Sequence, residues 1–385
     1  MDYISNIVYK TIMIEITPGP SSSVSSDTGG KPEKEVQAVR FRQTYSSLRR
    51  HRVAFIVIMA IVTVLVSMYA ITVGSYSITF EEVYQNIWYW ITGTEPDDVT
   101  KYHIAVEVRL PRILTAILAG FGLSVAGTTM QGMLKNPLAD PYTMGISSGA
   151  GFGAALAIIL GFEIIAGGGI VVNAFIFAII PAAVILMLSK MHTASPTVMI
   201  LCGIGMMYLF DALTQLFMIT AHPEDMSVVY QWMVGSITGT DFSSVVLIFI
   251  IVLAGTFVIQ SLSKQLNAMG LGDESAKSLG INVENRRMIL MLVLTLVAAS
   301  IVSFTGIIGF VGLVSPHIAR IFVGTDNRYL IPAAALVGSL LLVVADIISR
   351  TIVSPNLLPI GVVTSCIGGP LFLFLILKAR KEAWN

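Results

Sequence analysis

Two carboxylates inside apolar segments are the residues whose position most clearly demands a chemical role. Asp211 and Asp346 lie within or near the ends of long apolar runs. A carboxylate in such a run is costly, and by default it points toward a cavity or a partner group. Asp346 shares a helix face with Arg350, four residues on, so a structural ion pair is at least as well supported as a transport role. For Asp211, beside Thr214 and Gln215, hydrogen-bonded packing is favoured over translocation.

Other groupings of reactive residues do not favour an enzyme. Gly145–Gly149 matches the G-x-S-x-G pattern of serine hydrolases, but it opens an apolar segment, and the five histidines are scattered along the chain. Helix packing through small residues therefore explains Ser147 better than a nucleophile does. No two histidines are spaced at i, i+3 or i, i+4 and no two cysteines are close in sequence, and the cluster His222, Glu224 and Asp225 suits a solvated acidic outer loop better than a metal site. We expect no catalytic residue, no metal site and no cofactor bound directly by this chain.

The sequence also lacks the nucleotide-binding pattern G-x-x-x-x-G-K-[ST]. If ATP drives a process in which this chain takes part, a separate subunit must bind the ATP and Mg²⁺.

The composition is that of a membrane protein. Hydrophobic residues make up 55% of the chain, charged residues only 12%, and the mean hydropathy is +0.81, whereas soluble domains average about 25% charged residues. The formal net charge of zero gives no argument for nucleic-acid binding.

Apolar runs long enough to cross a bilayer predict an all-α polytopic protein, since a spanning helix needs roughly 20 apolar residues. Residues 1–50 are expected to form a flexible cytoplasmic tail and residues 51–380 the transmembrane domain. The runs at 143–162 and 306–324 are Gly-rich and suit broken or half-inserted helices. About ten spans are predicted: 53–74, 113–133, 143–162, 170–189, 196–220, 242–262, 288–305, 306–324, 329–349 and 360–377.

The distribution of basic residues predicts the orientation in the membrane. With ten spans and the amino terminus inside, the outer side holds only four of the 23 Lys and Arg residues, namely Lys101, Arg109, Arg112 and Arg350. Because cytoplasmic loops carry the excess of basic residues, both termini are expected in the cytoplasm of a cell-membrane protein. The charged segment 266–287, between two apolar runs, then also faces the cytoplasm.

Several strings, in order along the chain, resemble the FecCD-type permease family, the membrane subunits of ATP-binding-cassette (ABC) importers for iron–siderophores, haem and cobalamin. These strings cover Arg109–Arg112 (RLPR), Gln131–Pro141, Met144–Ala150, Leu271–Ile281, Gly309–Arg320 and Leu357–Gly361.

The resemblance implies a type II importer architecture. Two permease copies would form a homodimer of ten helices each, with the pathway between them. Two ATPase subunits would bind on the cytoplasmic side, and an extracytoplasmic binding protein would deliver a metal chelate: a ferric siderophore first, then cobalamin or haem. An ion-gradient-driven secondary transporter, with Asp211 or Asp346 as the ion-coupling group, is the alternative.

The resemblance also assigns a coupling helix that docks on the ATPase. Glycines at 270, 272 and 280 bracket a short helix, whose first residues, Asp273 and Glu274, suit a helix amino terminus. Ala276, Leu279 and Gly280 would supply small and apolar contacts. The predicted coupling residues are Leu271, Gly272, Asp273, Glu274, Ala276, Leu279 and Gly280.

Outer arginines are the predicted contacts for the binding protein. The resemblance implies that Arg109 and Arg350, with Arg112 as an accessory, meet acidic residues of that partner, and the planar guanidinium suits bidentate pairing with carboxylates. Pairing with Asp346 or lipid headgroups is the other interpretation. The chain departs from the family pattern at Leu357, where a Glu is usual.

Overall fold

The structure is a computed structural model that describes residues 33–74, 76–191 and 195–382, and every regular element within these ranges is helical. Contacts divide the chain into two units, Met1–Arg50 and His51–Asn385. The predicted flexible tail lies in part outside the described residues, but the chain is already helical from Glu33, where a flexible segment was expected.

The α-helices, numbered in chain order, are α1 (Glu33–Thr72), α2 (Phe80–Thr92), α3 (Val99–Tyr102), α4 (Leu110–Leu134), α5 (Ile146–Leu160), α6 (Gly169–Met191), α7 (Pro196–Thr220), α8 (Pro223–Met233), α9 (Phe242–Ser261), α10 (Ser263–Gly270), α11 (Asp273–Ser278), α12 (Val283–Thr305), α13 (Val311–Val323), α14 (Asn327–Thr351) and α15 (Ile360–Glu382). A π-helix (His103–Arg109) leads into α4, and a 3-10 helix (Pro141–Met144) precedes α5.

Within the part of the chain that the structure describes, ten apolar helical segments match the ten predicted spans. Seven are long enough to cross a membrane: parts of α1 and α6, the continuous segment Val99–Leu134, and α7, α9, α12 and α14. Three shorter apolar segments lie in α5, α13 and α15. Two of these, α5 and α13, fall in the Gly-rich runs for which broken or half-inserted helices were expected, so the all-α polytopic prediction is confirmed.

Helix α4 lies at the centre because glycines let other helices reach its backbone. A Cβ atom added at Gly120 would lie 2.3 Å from the carbonyl oxygen of Gly338 in α14. One added at Gly127 would overlap the carbonyl oxygen of Gly312 in α13. Real Cβ atoms do not approach so closely, so only glycine permits these contacts. The resulting core holds α4 against α13 and α14.

Helix α5 packs on α6 by the same means. A Cβ at Gly149 would lie 2.4 Å from the carbonyl oxygen of Phe177, and one at Gly153 would lie 2.5 Å from that of Asn173. The G-x-S-x-G string therefore belongs to a close helix–helix contact, which confirms the packing interpretation. Ser147, at the start of α5, is itself buried.

Candidate functional sites

The short helix α11 lies in the segment predicted to couple to an ATPase, and glycines shape both of its ends. Gly272 precedes it with φ +127° and Gly280 follows it with φ +79°. Residues that carry a side chain rarely adopt these backbone conformations, whereas glycine adopts them without strain. Asp273 and Glu274 occupy its first turn and Lys277 its last, so the charges complement the helix dipole. The predicted helix at this place is present.

Two leucines flank α11 and are exposed. Leu271 is 77% and Leu279 is 67% exposed, and Glu274 and Gly280 are exposed as well. Nothing lies within 4 Å of a Cβ atom added at Gly280. Large apolar side chains at both ends of a short polar helix form a small surface that a partner protein could cover.

Ala276 lies on the other side of α11. Its side chain is fully buried in the same apolar cluster as Leu266, Met269 and Val283. The prediction that Ala276 contacts a partner is therefore wrong in this structure. With six residues, α11 is too short for hydrophobic periodicity to fix which face turns inward.

Asp273 connects α11 to two longer helices. Its carboxylate accepts hydrogen bonds from Nζ of Lys135 at 2.7 Å and from Nη2 of Arg287 at 3.0 and 3.1 Å. Lys135 ends α4 in the left-handed conformation, and Arg287, in the second turn of α12, is only 2% exposed. Partial burial raises the pKa of Asp273, but the bonds from Lys135 and Arg287 outweigh it, so the pKa lies below its ordinary value.

Sequence reasoning missed Lys135 and Arg287 as partners of Asp273. The available signal was Arg287 itself, a charge at the beginning of an apolar span that must find a partner when it is buried. The bonds tie the exposed helix α11 to the ends of α4 and α12, so a force on α11 reaches both helices directly.

A second charged group surrounds Asp346 at the other end of the helices. Asp346 is fully buried and pairs with Arg112, Nε to Oδ1 at 2.7 Å, and with Arg350, Nη2 to Oδ2 at 2.8 Å. Arg112 also donates to Oγ1 of Thr238 at 2.9 Å. The expected Asp346–Arg350 pair is present, and the geometry gives Asp346 a structural role.

Arginine side chains also cap the carboxyl end of α1. Arg109 donates to the carbonyl oxygens of Ile71, at 2.9 Å, and Thr72, at 3.0 Å, and Arg350 donates to those of Ala70 and Val73 at 2.9 and 2.6 Å. The last carbonyls of a helix lack partners within it, and cationic side chains there also complement the helix dipole.

The three arginines predicted to dock a binding protein are therefore interior residues. Arg109, Arg112 and Arg350 are 5, 6 and 5% exposed, and their guanidinium groups are occupied by carbonyls and by Asp346. This corrects the expectation that they stand free on the outer surface. A direct contact with a partner's carboxylates would first have to open these ion pairs and hydrogen bonds.

The two remaining predicted positions are both at least partly accessible. Asp211 is half-buried in α7, and no hydrogen bond or ion pair to its carboxylate occurs within the described residues. Leu357, which stands at the position of the usual family Glu, is exposed in the loop before α15. There it can supply only an apolar contact.

Known proteins are similar in sequence to this chain over most of its length. A model of the FecCD transport family matches residues 59–378. The ABC transporter permease protein MJ0087 of Methanocaldococcus jannaschii is 40% identical over 88% of this chain and 99% of its own length. The hemin transport system permease protein HmuU of Yersinia pestis is 34% identical over 84% of this chain and 95% of its own length.

A solved structure shares the fold. It is described as an inward-facing conformation of a metal-chelate type ABC transporter, and it superposes with a TM-score of 0.74 at 29% sequence identity. The match covers 84% of this chain and 98% of the other.

Proposed function

The chain belongs to the FecCD transport family, and from this we propose that it forms the translocation pathway of an ATP-driven importer of metal chelates. The ATP is hydrolysed by separate subunits, because the sequence has no nucleotide-binding pattern of its own. The chain is then a transport component rather than an enzyme.

The observation that carries the proposal is the construction of α11. A short helix with glycines at both ends presents Leu271 and Leu279 to the outside, while Asp273 ties it to α4 and α12. Such a helix can receive motion from an ATPase through its apolar contacts and pass that motion to the membrane helices.

The proposed cargo is a metal chelate. The solved neighbour is described as a metal-chelate transporter and the Yersinia relative as a hemin permease. Among chelates, a ferric siderophore comes first, with cobalamin and haem next. The buried arginines around Asp346 offer no accessible basic cluster that would hold an anionic ligand.

The proposed assembly is a homodimer of this chain in the cell membrane with both termini in the cytoplasm. Two ATPase subunits bind at α11, and an extracytoplasmic binding protein delivers the cargo on the opposite side. Contact of that protein with Arg109, Arg112 and Arg350 stays a prediction that requires their network to open.

The coupling role is tested by replacing both exposed leucines with aspartate, Leu271→Asp and Leu279→Asp, in the reconstituted importer. Because these side chains are exposed, stability should change by less than about 0.5 kcal/mol. ATP-driven uptake and binding of the ATPase should fall at least about tenfold. Ser278→Asp, also exposed on α11, is the matched control with near-normal uptake. Normal uptake by the double leucine variant would contradict the role of α11.

The secondary-transport alternative is not favoured. Asp346, one of its two possible coupling groups, is already neutralised by Arg112 and Arg350. Reconstitution of the permease alone under an imposed proton or sodium gradient separates the two functions. We expect no uptake without the ATPase and ATP, whereas gradient-driven uptake by the permease alone would refute ATP-driven import.

A further inference from the structure

Helix α7 presents a mixed polar face that the rest of the chain leaves uncovered. Most of α7 is not buried within the chain. Gly205, Tyr208 and Gln215 are exposed, and Asp211 beside them is half-buried. At about 100° per residue these four positions fall within roughly a third of the helix circumference, so they form one face, which also holds the exposed apolar residues Leu201, Ala212 and Ile219. We call it the α7 polar face.

Other uncovered helices of the chain look different. Apart from Ser243 and Ser261 at its two ends, the exposed residues of α9 are all apolar, as a surface against lipid hydrocarbon requires; the large ones are Val246, Leu247, Phe249, Ile250, Leu253 and Phe257. The outward residues of the apolar part of α1 include Val57, Ile58, Ile61, Val64 and Leu65. The α7 polar face also exposes Leu201 and Ile219, and α1 exposes Tyr69. What sets the α7 polar face apart is therefore the carboxylate of Asp211 with the exposed amide of Gln215, which indicate another neighbour than lipid.

The position of Asp211 within the span indicates what kind of surroundings the α7 polar face has. Asp346, the other carboxylate within a span, is fully buried between two arginines. Asp211 has no hydrogen-bonding or ionic partner within the described ranges, although it lies well inside a 25-residue span. A carboxylate at such a position is costly against hydrocarbon, and it commonly faces a water-filled cavity. Water is also compatible with the exposed Tyr208 and Gln215.

We propose that the α7 polar face lines the aqueous translocation pathway and that Asp211 makes this pathway selective for cationic or uncharged, donor-rich metal chelates over polyanionic ones. This inference rests on the proposed importer function. In a homodimer the pathway would carry two such carboxylates. An ammonium group or hydrogen-bond donor at the rim of a chelate would be attracted to them, and a chelate with several negative charges would be repelled.

The test uses cysteine labelling, because it does not depend on knowing the cargo. Cys202→Ser and Cys366→Ser remove both native thiols, and Gln215→Cys adds one reporter on the α7 polar face. The assembled importer in vesicles is treated with cationic and anionic methanethiosulfonate reagents of matched size. Each rate is divided by the rate of the same reagent with a free thiol. Leu253→Cys on the apolar face of α9 is the matched control.

We expect the Gln215→Cys thiol to react while the Leu253→Cys thiol stays unmodified. After normalisation, the cationic reagent should react at least about tenfold faster at Gln215→Cys, as an attraction over several ångströms at low effective dielectric predicts. Adding Asp211→Asn should remove most of this preference, and Asp211→Arg should reverse it. Tyr208→Cys is the second reporter if the Gln215→Cys protein does not assemble.

Two results would overturn the inference. If the thiols of Gln215→Cys and Tyr208→Cys reacted with the reagents as slowly as that of Leu253→Cys, the α7 polar face would lie against lipid or in a closed protein contact. A charge preference that Asp211→Asn leaves unchanged would remove the selective role of Asp211. ATP-driven uptake by the unmodified importer in the same vesicles tests the proposed function separately, so failure of one is distinguishable from failure of the other.

Discussion

At the scale of single residues, the buried charges of the two charged groups described above are matched by charge or by backbone carbonyls. Asp346 has two arginines and Arg287 has Asp273, while the guanidinium of Arg109 is surrounded by carbonyl oxygens. Removing one member of such a group leaves the others buried without compensation, which costs more than the interaction itself contributes.

Asp346→Asn should therefore destabilise the protein strongly. The change leaves Arg112 and Arg350 buried around a neutral amide, and loss of one partner from a buried ion pair typically costs about 3–5 kcal/mol. Thermal unfolding in detergent measures the effect. Asp211→Asn is the matched control, because this carboxylate also lies in a span but has no ionic partner within the described ranges, and its melting temperature should stay near that of the original protein. Equal melting temperatures for both variants would contradict the structural role of Asp346.

Asp273→Asn should lower the coupling between ATP hydrolysis and transport. The amide cannot hold Lys135 and Arg287 by charge, and the partly exposed position limits the loss of stability to about 1–2 kcal/mol. More ATP should be hydrolysed per chelate imported, whereas dimer assembly stays intact. If the ratio of ATP hydrolysed to chelate imported were unchanged, the bonds of Asp273 to Lys135 and Arg287 would not be needed for α11 to transmit motion.

The same contact has a predictable dependence on pH. The pKa of Asp273 in the folded protein lies below its ordinary value, so its stabilising contribution is present above the unfolded pKa of about 3.9 and is lost as pH falls through the folded value. Its contribution should therefore be constant from neutral pH down to about pH 5. The measurement compares the unfolding free energy of the original protein with that of Asp273→Asn. If the difference between them vanished at pH 6, the lowered pKa of Asp273 would be contradicted.

Sequence spacing revealed only part of this charge network. The i, i+4 spacing identified the pair Asp346–Arg350, because one helix face holds both residues. Arg112, 234 positions away in sequence, joins Asp346 only through the packing of α4 on α14. No local pattern encodes that contact, which is why Arg112 was placed on the surface instead.

At the scale of helices, small residues decide which elements touch. Apolar run lengths predicted the existence of the spans, and the Gly-rich strings predicted close packing, without naming the partner helices. The structure supplies those partners, α6 for α5 and both α13 and α14 for α4. Ala276 shows the limit of local reasoning, since neighbours outside α11 determine the face that turns inward.

Two glycines of α5 provide a direct test of this packing. Gly149→Ala places a Cβ 2.4 Å from the carbonyl oxygen of Phe177, whereas Gly151→Ala meets nothing closer than 3.8 Å. Gly149→Ala should destabilise the protein by about 1–3 kcal/mol through overpacking. Gly151→Ala should be neutral or stabilising by up to about 1 kcal/mol, because alanine favours the helix. Unfolding midpoints compare the two, and a similar loss in both would argue against the α5–α6 contact.

At the scale of the whole molecule, the separation of charges predicts the orientation of the protein in the membrane. The segment that contains α11 and the excess of basic residues are both expected in the cytoplasm. The orientation stays a prediction from the sequence, because no contact among the described residues distinguishes the two sides of a bilayer.

Side-specific labelling of single cysteines tests that orientation. In the background without native cysteines, Leu279→Cys should react with a membrane-impermeant thiol reagent only in inverted vesicles. Trp88→Cys, on the exposed surface of α2, should react only in intact cells. The reverse pattern would place α11 outside the cell and exclude a cytoplasmic ATPase as its partner.

The arginines that cap α1 also impose an order on the biogenesis of the protein. The carbonyls of Ala70 and Val73 are satisfied by Arg350, a residue that the ribosome adds some 280 positions later. Until α14 has been made, the carbonyl oxygens of Ala70 and Val73 at the end of the first span lack the hydrogen bonds from Arg350. Chains that stall before that point expose the same mark of incompleteness, and a membrane quality-control protease could use it to tell finished chains from unfinished ones.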